Sequence, residues 1–152
     1  MSKKFKYQQQ ESLQTLEEAL KEYYSSFNGL ITEENTNPKV AKLFRLHDVT
    51  HVVFGCDTSI KEETLTDTWT IFGSTVTLGE YMEYLKYPET TQVLKEEGIL
   101  KVFWIFILSF PDFIKVILYT FKMRKKWNFW DYQQYSNHSL KDIREEFNIQ
   151  VV

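Results

Sequence analysis

In the stretch SLQTLEEALKEYYSSFNG the apolar residues Leu13, Leu16, Leu20, Tyr23 and Phe27 recur at spacings of three and four. That period places them on one face of a helix. Gly29, just after the stripe, predicts its stop. Asn37 followed by Pro38 reads as an N-cap with proline at the first helical position, opening a second helix that Gly55 ends. Ser59 with Glu62 and Thr77 with Glu80 are capping-box patterns, predicting a helix through about Phe72 and another beyond it. Pro88 breaks the chain, a short helix is predicted over Thr90 to Glu97, and Ser139 with Asp142 starts a last helix in SLKDIREEF. No partner strand is evident for the β-branched, aromatic run from Val102 to Leu108, so that run too reads as helix. The expected fold is all-α: a single-domain helical bundle over residues 1–152.

Composition agrees with one folded unit. The chain has 152 residues, 43% of them hydrophobic and 16% aromatic against 26% charged, which excludes a disordered or fibrous class. A net charge of -3 argues against a nucleic-acid partner. The lone Cys56 excludes an internal disulfide and fits a reducing cytoplasm. The lysines of MSKKFKYQQQ are not followed by the apolar run of a signal peptide.

The predicted second helix carries RLHDVTHVVFG, with His47, Asp48 and His51 projecting from one side. Gly55, Cys56 and Asp57 make a tight turn, after which the helix from Ser59 can return antiparallel. Glu63 then lies about one turn past the turn, as His51 lies about one turn before it. Two imidazoles and two carboxylates between an antiparallel helix pair form a candidate divalent-metal site, suited to zinc, iron(II), manganese or cobalt. Asp48 has an alternative role, as an acceptor that fixes a histidine tautomer. The set can also be read as ordinary satisfied polar groups. HExxH proteases are the nearest familiar pattern, but Asp48 replaces their glutamate and is one methylene shorter. A phosphohydrolase built on a His-Asp pair needs a further upstream histidine, and none precedes His47.

With Glu63 following HDVTH after eleven residues, VVFGCDTSIKE, the chain resembles the coenzyme Q biosynthesis protein 4 family, whose hallmark is HDxxH, eleven residues, then glutamate. HVVFG, and the tail from Trp127 with LKDIREEFNI, are also similar to that family. The resemblance covers about a third of the chain, and residues 64–126 lie outside it. It implies an all-helical fold and a metal, zinc in the first place, on His47, Asp48, His51 and Glu63. It further implies work on a prenylated quinone precursor, with loss of the ring's C1 carboxyl group and hydroxylation there, alongside other quinone-synthesis enzymes at the membrane.

From Ile99 to Phe121 the chain is very apolar, yet Lys101, Pro111, Asp112 and Lys115 interrupt it and leave no uncharged membrane span. Ser109, Pro111 and Asp112 look like a helix start, predicting two core or interface helices whose side chains could line an isoprenoid tunnel or simply pack. Lys122, Arg124, Lys125 and Lys126 then precede Trp127, Phe129, Trp130, Tyr132 and Tyr135. Cations with interfacial aromatics are expected to touch a membrane, Trp127 and Trp130 among them. The plain alternative is a solvated helix end followed by packed aromatics.

Two functions follow as expectations. One is a metal-dependent decarboxylase, a lyase acting on a polyprenylated hydroxybenzoate-type substrate, with Arg45 as the residue that would hold the carboxylate. The other is a non-enzymatic lipid-binding scaffold that organises quinone-synthesis enzymes. Both place the protein in the cytoplasm, peripheral to the membrane.

Overall fold

Thr15 opens the first helix, α1 (Leu16–Ser26), by a reciprocal cap: its hydroxyl accepts from the Glu18 N–H at 3.2 Å, and the Glu18 carboxylate accepts from the Thr15 N–H at 2.8 Å. The structure, a computed structural model, describes residues 4–27, 30, 36, 38–84, 86, 87 and 98–152. Leu16, Leu20 and Tyr23 are buried as their spacing predicts, but Leu13 precedes the cap and is 77% exposed, so it leaves the stripe. The expected Gly29 stop, Asn37 cap, Pro88 break and helix over Thr90 to Glu97 lie outside the described residues.

Helix α2 (Pro38–Phe54) begins at proline, as expected, and every residue from Leu46 to Phe54 is buried. A helix covered all round in this way is the centre of its fold. Gly55 ends it with φ +71°, where an added Cβ would lie 2.8 Å from Val151 Cγ1. Helix α3 (Ile60–Gly73) follows at once. The Ser59 and Glu62 capping box does not form: Ser59 holds the N-cap position without a side-chain cap bond. Its N–H instead donates to Asp57 Oδ1 at 2.9 Å, a turn that Asp57 builds with its own side chain. Across this hinge Phe54 stacks on Trp69, ring centres 4.4 Å apart, fixing the α2–α3 pair.

Thr77 and Glu80 do cap each other at the start of α4 (Leu78–Tyr84). The long apolar run forms one helix, α5 (Ile99–Thr120), with Pro111 inside it rather than a break into two. Proline costs an interior helix about 3 kcal/mol by removing a donor and crowding the preceding turn. Here Ser109, Phe113 and Val116 make one buried stripe spanning the proline, and Lys61 of α3 pairs with Asp112 of α5, so packing against α3 holds the helix continuous. That stripe fits the core reading of the run. On the opposite face Leu100, Phe103, Trp104, Leu108, Leu118 and Phe121 are exposed, and among the described residues they neither pack in a core nor line a tunnel.

Helix α6 (Leu140–Phe147) begins at Ser139, whose hydroxyl accepts from the Asp142 N–H, as its sequence predicts. From it Arg144 enters the core, 1% exposed, and donates to the carbonyls of Val52, Val53, Tyr7 and Gln9. Its positive charge thus meets the negative end of the α2 dipole. Burial draws the guanidinium down to about 10, still charged at neutral pH. All helices and turns assemble without a sheet: among the described residues strand pairing is limited to the single bridges Thr15 with Ser139 and Ser74 with Trp127. No described helix is long and apolar enough to cross a membrane.

Candidate metal site

The 3.6-residue period puts His47 and His51 on one face of α2, and the short Gly55 hinge returns α3 alongside, so that Glu63 reaches the same place. One ligand atom from each of His47, His51 and Glu63 comes within 4.8 Å of the others. This buried His/His/Glu group between packed antiparallel helices is a candidate site for a metal ion. His51 is 0% exposed, and its ring edge at Nε2 lies 3.3 Å from Glu63 Oε2 without making a hydrogen bond.

Thr66 explains that bare nitrogen. Its hydroxyl donates to the Glu62 carbonyl at 2.9 Å, so toward His51 Nδ1, 3.1 Å away, its oxygen is left to accept. An uncharged imidazole with its proton on Nδ1 carries its lone pair on Nε2. That lone pair faces a carboxylate, an arrangement that is repulsive alone and favourable around a cation. A histidine oriented through its other nitrogen is how protein metal sites fix their ligands.

Asp48 belongs to the same buried patch but turns elsewhere. Its Oδ2 accepts from the Tyr24 hydroxyl at 2.7 Å, and it is not a member of the His/His/Glu group. Burial pushes its carboxyl up to about 6, although Tyr24 and the two histidines pull the other way. Arg45 sits on the exposed side of α2, its guanidinium 5.0 Å over the Tyr24 ring and its Nε donating to the Tyr132 hydroxyl at 3.3 Å. Among the described residues it is linked to the patch through Tyr24.

Asp67 is the residue that sequence reasoning missed, its Oδ1 3.3 Å from His47 Nε2. Burial works against a charged His47, but Asp67 and the charge of Glu63 outweigh it and hold the imidazole up at about 9. For Glu63, burial is likewise outweighed when His51 and His47 carry their protons, whose charge keeps its carboxyl below the usual range; the neutral form of His51 acts on it in the opposite sense. The available signal was that Glu63 and Asp67 repeat on α3 the four-residue spacing of the two histidines. A small cleft beside His47 is lined by Leu43, Thr70, Val76, Tyr81, Phe129 and Trp130.

The expected membrane residues are divided. Lys122, Arg124, Lys125 and Lys126 are exposed and Trp130 is 40% exposed, but Trp127 is wholly buried against Tyr135 and Phe147 and cannot touch a bilayer. The aromatic period there serves the core. Lys125 also pairs with Glu146, and Arg124 donates to the Glu145 carbonyl.

Fold and site together define an all-helical protein with a candidate metal centre between two antiparallel helices. Compared with known proteins, the chain matches no family model, no curated protein and no solved structure.

Proposed function

We propose that this protein holds a divalent metal, zinc in the first place, on His47, His51 and Glu63, and acts in isoprenoid quinone synthesis on a prenylated aromatic acid. The observation that carries the metal is the bare, buried His51 Nε2 beside the Glu63 carboxylate. The pathway rests on the HDxxH, eleven residues, glutamate resemblance. The reaction it implies is loss of the ring's C1 carboxyl group as carbon dioxide, with a proton taking its place. Hydroxylation at the same carbon is a two-electron oxidation that would need dioxygen as oxidant and a redox-active metal such as iron in place of zinc. A metal there would supply a Lewis acid to the charge that develops as the carboxyl group leaves.

The chain's own residues divide the remaining work. Thr66 orients His51, and Tyr24 holds Asp48 beside the group. Leu43, Val76, Tyr81 and Phe129 give the cleft beside His47 an apolar wall around about 20 Å³ of free space, room for a water, so an aromatic head would have to part these side chains to enter. Arg45, lying over Tyr24 at the outside, is placed to meet an incoming carboxylate before it reaches the buried patch. The apolar outer face of α5 and the cations Lys122 and Lys126 support a lipid-borne substrate collected from a membrane surface.

A second reading, a non-enzymatic scaffold that presents prenylated lipid to quinone-synthesis enzymes, is favoured by that same α5 face, which offers more apolar surface than the cleft needs. Metal analysis of the purified protein, with mass spectrometry of co-purified lipid, tests both. One equivalent of metal lost in His51→Ala, together with a prenylated hydroxybenzoate and its conversion to a decarboxylated product, is the expected result. A bound prenylated lipid with no conversion selects the scaffold. Unchanged metal content in His51→Ala removes the site assignment.

A further inference from the structure

Because α2 and α3 run antiparallel from the Gly55 hinge, one turn back along α2 matches one turn onward along α3. His51 faces Glu63, and four residues away on each helix His47 faces Asp67. The two contacts have the same length: 3.3 Å from His51 Nε2 to Glu63 Oε2, and 3.3 Å from His47 Nε2 to Asp67 Oδ1. Metal bonds to nitrogen and oxygen of about 2.0–2.1 Å place neighbouring ligand atoms of a tetrahedral ion roughly 3.3–3.4 Å apart. Each contact therefore has the length of one edge of such a tetrahedron. The other edges are longer: the ligand atoms of His47, His51 and Glu63 spread up to 4.8 Å and Asp67 stands outside that group, so a bound ion would have to draw the four side chains inward.

Charge points the same way. Two neutral imidazoles and one carboxylate leave a divalent cation with one uncompensated positive charge, which a second carboxylate removes. Resting on the metal site proposed above, we propose that Asp67 is its fourth protein ligand, giving a two-histidine, two-carboxylate site. Nothing in the HDxxH pattern contains Asp67; the pairing of two adjacent turns across the hinge selects it. Glu63 and Asp67 differ in accessibility, with side chains 30% and 38% exposed, against 1% and 9% for the histidines they face. The histidine pair is thus the buried half of the site and the carboxylate pair its rim.

Cobalt(II) reloading of the chelator-treated protein tests this. The unaltered protein should take up one equivalent and give the intense visible absorption of a four-coordinate ion. Asp67→Ala should still bind cobalt, with changed visible bands and an affinity lowered by about a hundredfold, the upper end of what loss of an orienting partner costs. Asp67→Asn keeps a polar group beside His47 but loses the anionic oxygen, and should resemble Asp67→Ala. If Asn restores the original spectrum and affinity, Asp67 only orients His47 and the proposal falls. An Asp67→Ala protein indistinguishable from the original also overturns it while leaving the three-residue site standing. No cobalt bound by the unaltered protein overturns both.

Discussion

At His47, a proton and a metal ion compete for one nitrogen pair, and the competition has a predictable sign. The metal-free fold holds this imidazole at about 9, above its ordinary 6.5. The stability it contributes is therefore complete below about pH 6.5 and is lost as pH rises through about 9. Asp48, held at about 6, adds a loss of the same sign at lower pH, as its buried carboxyl is forced to ionise. Metal affinity should run the other way, rising across the His47 window and levelling above about pH 9, because each binding event must first expel the proton. Thermal melts of chelated protein from pH 6 to 9.5 should show the falling branch, flattened in His47→Gln, and dye-competition titrations with zinc should show the rising one. A melting temperature independent of pH in the unaltered protein would contradict the pairing with Asp67. His47, His51 and Glu63 were legible in the chain because a fixed helical period and a short turn leave little freedom in where they point. Asp67 and Thr66 were not, since an aspartate and a threonine on a helix are unremarkable until the facing helix is in register.

Elements set that register, and Gly55 is the hinge on which it depends. Its φ of +71° costs a residue with a side chain on the order of 1–2 kcal/mol, and the Cβ would also press on Val151. Gly55→Ala should therefore destabilise the protein by about 2 kcal/mol and weaken metal binding, because both histidine–carboxylate pairs depend on the same turn. Urea melts and cobalt titration measure the two effects; a fall in stability with unchanged affinity would mean that the helices keep their register without the hinge. Helix starts were readable where a side chain could satisfy an open N–H, as Thr77 and Ser139 do. The start at Ser59 was read rightly but its bond was not, since Asp57 takes the Ser59 N–H, and a start was misread at Pro111, where the long contact with α3 outweighed a local breaker. Local chemistry predicts an element end only when no neighbouring element has a larger stake in its continuing.

Over the whole molecule, the apolar and basic features lie together at the end of α5. Phe121, 80% exposed, is followed directly by Lys122, and Leu118 lies one turn before it. If this face meets anionic membranes, Phe103→Ser with Trp104→Ser should reduce sedimentation with phosphatidylserine vesicles at any salt. Charge reversal at Lys122 and Lys126 should reduce it mainly at low salt, at about 1 kcal/mol per cation. Lys125 should matter less, being paired with Glu146. Binding that ignores all of these changes would exclude the face as a membrane contact. Apolar content was plain in the sequence, but which side of α5 stayed uncovered was decided by packing that no single helix encodes. Arg144 has a bearing on time as well as on strength. Its bonds to Val53 and Tyr7 join residues 91 and 137 positions apart, among the most distant contacts the chain makes. Contacts so remote form after the local helices, since closing long loops costs entropy before any contact repays it. The last turn of α2, which carries His51, is therefore clasped late in folding and released early in unfolding, so the nascent hairpin would meet its metal while its lower end is still open.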